Sequence, residues 1–481
     1  MSQAPTHAQA QPARPAARSG WLDSARRIAP LAWPVFIGQV AVLAFATVDT
    51  VMVARHSALH LAALAIGGAA YVSIFVGLMG IVLAIGPIAG QHFGAGKLHE
   101  CGRQLHQALW LALALAVPGC ALLAFPEPFL SLAQAGPELS AKVRDFMGPL
   151  AWALPPALLF TAFRGFSVAV SRPKAVMALQ LVALALKVPL TALLVFGAGL
   201  PTPVGHFAIP ALGARGCGIA TAAVMIVQIA AAGVLLRRDP FYAAFGLHGR
   251  IARPDRTSLV ALLRLGVPIG LSLAIEVTGF TFMAFFISRV GATAVAGHQI
   301  AVNLVSMMYM MPLAIGSAAG TLVAQRIGAA DSVDARRIGW HGLQWGALIA
   351  ATLGCLVYLL REPILRFYTR DATVIAAAVP LLAWVAVFHI ADAVQTVASF
   401  VLRAYRIATV PMVIYAVALW GVGLGGGYLI AFDTTGRSPA SLLGAQGFWS
   451  SATAGLVVSA LAMTAYLTIT LRRQHTPNRS A

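Results

Sequence analysis

The sequence predicts an all-α integral membrane protein in which twelve transmembrane helices form two pseudo-symmetric six-helix lobes. Three observations predict it. Of the 481 residues, 59% are hydrophobic and only 10% are charged, with a mean hydropathy of +0.82, whereas a soluble globular chain carries about 25% charged residues. The apolar residues gather into runs near the ~20 residues needed to cross a bilayer. Finally, proline, glycine and glutamine positions in the first half recur in the second at a nearly constant offset.

Residues 1–27 are rich in Ala, Pro, Gln and Arg and lack the short apolar core of a cleavable signal peptide, so they read as a disordered cytoplasmic tail. Twelve apolar runs follow, starting near residues 28, 62, 102, 146, 175, 212, 260, 295, 338, 373, 408 and 444. They divide into a first lobe over 28–238, a cytoplasmic loop over 239–256, a second lobe over 257–472 and a cytoplasmic tail over 473–481. With the amino terminus inside, the inner segments hold 22 of the 33 Lys and Arg residues and the outer loops nine; Arg164 and Lys187 fall within runs, Arg164 near enough to an end to snorkel. This asymmetry follows the positive-inside rule and predicts that both termini are cytoplasmic. The net charge of +18 therefore sets topology and meets anionic lipid headgroups. Nucleic-acid binding is excluded, because no basic face is interleaved with aromatic platforms.

The repeat places Pro34 on Pro268, Gly86 on Gly320, Gln91 on Gln325, Gly94 on Gly328 and Ala95 on Ala329, all 234 residues apart. The strings AGQHFGAG and VAQRIGAA end the second run of each half, and LGARG from Leu212 matches LGAQG from Leu443 at the start of each sixth run. Such self-similarity indicates duplication. Halves with an even number of helices enter and leave on one side, so the axis relating them runs along the membrane normal. Two such lobes enclose a cleft without needing a second copy, and rocking one against the other alternates access to it. Pro34, Pro155, Pro156, Pro189 and Pro268 interrupt helical hydrogen bonding within the runs.

Only Asp49, Glu276 and Asp392 among the 15 acidic residues lie well inside apolar runs, the first, seventh and tenth. A charge at mid-bilayer costs at least about 2.5–3.5 kcal/mol, so these acids are expected to face a cavity or a partner. A carboxylate that binds a proton or a cation suits coupled transport. Lys187 in the fifth run is the expected partner of Asp49. Gln39, Thr278, His298, Gln299, Asn303, His389, Gln395 and Thr396 add polar groups; the common use of such residues is bonding between helices, and His389 stands one turn from Asp392. Met307, Met308, Met310 and Met311 suit core packing or lipid contact, and a Met-rich binding surface is the alternative. Cys101, Cys120, Cys217 and Cys355 are far apart and show no metal-ligand spacing. No HExxH, GxSxG or paired His/Asp arrangement points to an enzyme, and no cofactor is expected.

Four strings carry a resemblance: WPVFIGQVAVLAFATVDTVMVAR in the first run, IGPIAGQHFGAGK after the second, LGVPIGLSLAIEVTGFTFMAFFISRVGATAVAGHQIAVN across the seventh and eighth, and HIADAVQTVASFVLRAYRIATVPM across the tenth and eleventh. Together they resemble the multidrug and toxic compound extrusion (MATE) transporters, in particular the NorM-like bacterial branch, over residues 28 to 472. The resemblance implies a V-shaped pair of lobes in the bacterial cytoplasmic membrane. It also implies a secondary active antiporter exporting organic cations and amphipathic drugs, including dyes and fluoroquinolones, in exchange for sodium ions or protons. The positions matching the family's cation-coupling acids are Asp49, Glu276 and Asp392, the last two also implied as sodium ligands, with Gln395 part of the tenth-helix pattern. Two departures bear on the ion. Lys187 and Thr191 stand where asparagines are frequent in the family, and Phe388 stands where sodium-coupled members often have tyrosine. Sodium needs several oxygens and a proton needs one carboxylate, so both ions stay open. The alternative within the superfamily is a lipid-linked oligosaccharide flippase, which usually has a cationic cavity; the cavity expected here is mainly acidic.

Overall fold

The computed structural model describes residues 20–132, 136–202, 205–249 and 251–473. The tail expected over residues 1–27 lies outside the described residues as far as residue 19, as do residues 474–481 of the carboxy-terminal tail. Among the described residues, twelve helices long and apolar enough to cross a membrane make this a multi-pass membrane protein. In chain order they are α1 (Trp21–His56), α2 (Ala58–Gly94), α3 (Leu98–Ala124), α4 (Pro137–Ala169), α5 (Pro173–Phe196) and α6 (Ala214–Arg238). The second set is α7 (Arg256–Ser288), α8 (Ala292–Gly328), α9 (Ser332–Leu359), α10 (Ala372–Ala404), α11 (Thr409–Ala431) and α12 (Ala445–Arg473). A turn at Leu83–Ala84 interrupts α2, and a wide π-helical stretch, Val417–Gly425, forms the middle of glycine-rich α11. One short antiparallel ribbon, β1 (Ala198–Thr202) with β2 (Gly205–Ile209), joins α5 to α6 and pairs Ala198 with Ile209. Val117, Trp152, Phe285 and Leu461 are exposed, as side chains facing hydrocarbon should be.

Helix α1 starts earlier than hydropathy indicates. Residues Trp21–Arg27, expected in the tail, form its first two turns because tertiary contacts hold them. The Gly20 N–H donates to the Asp23 carboxylate at 2.9 Å, Trp21 stacks on Trp345 with ring centroids 3.8 Å apart, Ser24 bonds His341 at 2.7 Å, and Arg27 pairs with Asp334 at 2.9 Å. All three long-range partners lie on α9, in the opposite half of the chain.

This crossing is reciprocal. Ile28 and Leu31 of α1 are buried in the core of the second half, and Leu262 and Leu265 of α7, each 234 residues further on, are buried in the core of the first. Each half therefore inserts the opening turns of its first helix into the other. The two faces of the molecule differ in consequence. On the face where α1 begins and α12 ends, here the terminal face, the halves are locked together. The Gln91 side-chain amide donates to the Ala404 carbonyl at 2.8 Å, and that of Gln325 donates to the Ala169 carbonyl at 2.7 Å. A Cβ on Gly94 would collide with the Gln325 backbone, and one on Gly328 with the Gln91 backbone. The repeated strings thus form one two-fold contact in which glycine allows main chain to meet main chain. Further from this face, Gly80 of α2 meets Gly270 of α7. The segment before α7 is clamped under α3, with Gln107 donating to the Arg253 carbonyl at 2.9 Å and accepting from the Asp255 N–H at 2.7 Å. On the opposite, distal face no hydrogen bond or ion pair joins the halves among the described residues. They part there around a central cavity.

Gly328→Val places side-chain atoms where the Gln91 backbone lies, so the terminal face should no longer close. Spin labels at Ala95→Cys and Ala329→Cys, with the exposed Cys355 replaced, should report a short distance in the parent. That population should be lost with Gly328→Val; an unchanged distance distribution contradicts the contact.

Candidate functional site

The central cavity encloses about 600 Å³ between the two halves, within the range of sites for drug-sized molecules. Helical periodicity builds its walls. Along α10, Phe388, Asp392, Gln395, Ser399 and Arg403 recur every three or four residues and all line it; along α8, Val302, Ser306, Tyr309, Leu313 and Ser317 do the same. Each helix thus turns a polar stripe inward and packs or exposes its apolar side.

Two of the three expected acids meet there. Glu276 of α7 and Asp392 of α10, the latter 4% exposed, lie in each other's electrostatic field on the second-half wall. Tyr309, Tyr415, Gln395, Thr396 and Arg403 line the same wall, within electrostatic reach of the acids in the case of both tyrosines and Arg403. The Thr396 hydroxyl donates to the Gln395 side-chain oxygen at 3.1 Å. Two carboxylates therefore share one wall with phenol, hydroxyl and amide oxygens, groups whose chemistry suits a hard monovalent cation or a proton. Phe388 packs against Phe280 and Trp449 and supplies no oxygen. Tyr309 and Tyr415 were missed by sequence reading, although each is a polar-tipped residue inside an apolar run.

Asp49 does not join them. It lies outside the cavity lining, one carboxylate oxygen accepting a hydrogen bond from the Lys187 ammonium at 3.0 Å and the other in ion-pair contact with it at 2.8 Å. Lys187 is 0% exposed and also bonds Thr221, whose hydroxyl donates to the Cys217 carbonyl at 3.0 Å. The first half thus carries a separate, internally compensated charge pair.

The cavity differs from the mainly acidic one expected, because two guanidinium groups line it. Arg403, counted above with the inner loops, stands over the Phe400 ring, 4.9 Å from its centroid. Arg164 of α4 does not snorkel: it donates to the Gln39 side-chain oxygen at 2.9 Å and packs on the Met79 sulfur at 3.4 Å. The other candidates scatter. Gln299 is exposed and outside the lining, so a polar residue in an apolar run did not reveal its direction. His389 is 0% exposed, lies outside the lining and has neither ring nitrogen hydrogen-bonded, so it makes no hydrogen bond to Asp392. His298 accepts from the Trp449 indole, Asn303 accepts from Tyr368, and Thr278 bonds the carbonyl of Ala274 in its own helix. Of the methionine cluster only Met310 reaches the cavity.

A two-lobed bundle with a central cavity lined by intramembrane acids from helices seven and ten is the architecture of a membrane transporter. Comparison with known proteins assigns it further. The family model described as MatE matches twice, over residues 34–193 and 268–429, and the two matches begin with the same spacing as the repeated prolines. The chain is 38% identical over 442 residues to the "Probable multidrug resistance protein NorM" of Aromatoleum aromaticum, covering 92% of this chain and 93% of that one. It is 35% identical over 460 residues to the protein of the same name from Chromobacterium violaceum, covering 95% and 97%. The crystal structure of the eukaryotic MATE transporter AtDTX14 has the same fold, with a TM-score of 0.83 over 94% of this chain and 98% of that one at 18% identity. The chain belongs to the MatE family of transporters and is NorM-like.

Lys187→Ala leaves the half-buried, intramembrane Asp49 carboxylate without its counter-ion and should destabilise the protein by about 3 kcal/mol. A fluorescence-detected melt in detergent should show a lowered midpoint, largely restored by adding Asp49→Asn. Equal melts for parent and Lys187→Ala contradict the pairing.

Proposed function

We propose that the protein is a secondary active multidrug exporter that moves organic cations and amphipathic drugs outward in exchange for sodium ions or protons. The observation that carries this reading is the Glu276/Asp392 pair in the wall of a cavity closed by the terminal face. Relatives named for multidrug resistance support it. The distribution of basic residues supports a place in the bacterial cytoplasmic membrane with both termini cytoplasmic, so the cavity opens outward in this conformation. A single chain holds both lobes and the whole cavity, which supports a working monomer embedded in lipid.

The geometry suggests a sequence of events. An ionised Glu276 or Asp392 attracts a cationic substrate into a site of low dielectric, where the attraction exceeds its value in water. A sodium ion or proton arriving from outside neutralises the same carboxylates, and the bound organic cation loses its partner. Its dissociation outward leaves the ion-loaded lobes free to reverse, and the ion then leaves to the cytoplasm. The Asp49–Lys187 pair is proposed as a charge switch: protonating Asp49 breaks the pair and alters the packing of α1 on α5. In this reading the carboxylates are shared in time by two ligands, which ties export to ion entry.

Glu276→Gln keeps size and hydrogen bonding but removes the ionisable charge. In proteoliposomes under an imposed sodium or pH gradient, the parent should move rhodamine 6G against its gradient, and Glu276→Gln should cut the rate at least about tenfold. Full gradient-driven transport by the variant contradicts the assignment of Glu276, and no movement by the parent contradicts the exporter reading.

A further inference from the structure

Arg164 is a charged group of the cavity wall that no carboxylate among the described residues answers. Asp392 and Glu276 lie in each other's field, and Arg403 lies in that of Glu276. No acidic side chain among the described residues lies within ion-pair distance of Arg164, whose contacts are the neutral Gln39 amide and the Met79 sulfur. A guanidinium presents five donors in a planar fork suited to a carboxylate. One bond to Gln39 and one weak contact to sulfur leave donors for a ligand in the cavity that Arg164 lines.

Its position along the membrane normal is also informative. The Ala169 and Ala404 carbonyls are the matched acceptors of the two-fold glutamine contact, so they mark one level. Arg164 precedes Ala169 by five residues and Asp392 precedes Ala404 by twelve. At 1.5 Å of rise per residue, the backbone position of Asp392 lies about 10 Å distal to that of Arg164 along the helix axes. Apolar side chains, including Phe280, Phe400 and Leu313, line the same cavity.

Building on the exporter reading, we propose that Arg164 is a specificity-determining anion anchor. It would recognise the carboxylate of an amphipathic zwitterion whose cationic end is held by Glu276 and Asp392 and whose aromatic body lies between. A monocationic substrate would use the acids alone and be indifferent to Arg164. The Gln39 amide oxygen, accepting from one Nη, would hold the guanidinium toward the cavity as a positioning residue.

Tetramethylrhodamine as the free acid, a zwitterion, and as its methyl ester, a monocation, differ only at the carboxylate and test this directly. Binding to the purified full-length protein in detergent is read by fluorescence anisotropy. Arg164→Gln should weaken the acid by about tenfold and leave the ester within about twofold. Arg164→Lys, which keeps the charge but loses the planar fork, should weaken the acid less than Arg164→Gln does while still leaving the ester within about twofold. On the unaltered protein, benzoate should displace the acid and spare the ester, which keeps the test decisive if Arg164→Gln fails to fold. Equal weakening of both dyes by Arg164→Gln, no weakening of the acid, or benzoate displacing both dyes alike overturns the proposal. If the ester fails to bind the unaltered protein, the exporter reading falls and this inference with it; if the ester binds and the acid does not, only the anchor fails.

Discussion

The cavity exists because the two halves are pinned at one face and free at the other. At the terminal face main chain meets main chain, at Gly94 against Gln325 and at Gly328 against Gln91, with each glutamine side chain bonded across to the end of a helix in the other half. Bonds of this kind satisfy carbonyls at the ends of two helices, which have no partner within their own helix. Parting the halves there would strip acceptors at Ala169 and Ala404 and open a backbone contact that only glycine permits. Since no corresponding bond joins the distal ends among the described residues, the same contact that closes one face leaves a polar cleft reaching into the membrane.

Every intramembrane charge depends on that cleft or on a partner. Glu276, Asp392, Arg164 and Arg403 line the cavity, whereas Asp49 and Lys187, outside it, neutralise each other at 2.8 Å. Lipid would penalise any of these charges left alone. The division also separates two kinds of chemistry: a cavity whose carboxylates are accessible to incoming ions, and a closed pair whose charges are already satisfied. Only the first can exchange one ligand for another without first breaking a salt bridge.

Much of the fold is legible in the residues alone, because hydropathy reports span length and the 234-residue repeat reports two-fold organisation. The start of α1 is not, since Trp21–Arg27 is helical through contacts with Trp345, His341 and Asp334, more than 300 residues away. In the site, burial cost singles out Glu276 and Asp392, and the Asp49–Lys187 contact follows from the need of each charge for a partner. Direction is harder to read than depth. Gln299 and Arg164 are both polar residues in apolar runs, yet one is exposed and the other turns into the cavity. Arg403 sits where a loop residue was expected, although its spacing of eleven from Asp392, three helical turns, places it on the same stripe of α10. Reading that stripe as a face, rather than reading each residue by its distance from a helix end, would have found it.

The central claim is that a coupling ion and an organic cation use the same carboxylates in turn. It is tested most directly by measuring rhodamine 6G affinity for the purified protein while sodium and proton concentrations are varied independently, for the parent and for Asp392→Asn. The account predicts that one of the two ions weakens dye binding to the parent in proportion to its own occupancy and that Asp392→Asn blunts this effect. Dye affinity indifferent to both ions in the parent, or an equal ion effect in Asp392→Asn, would contradict it.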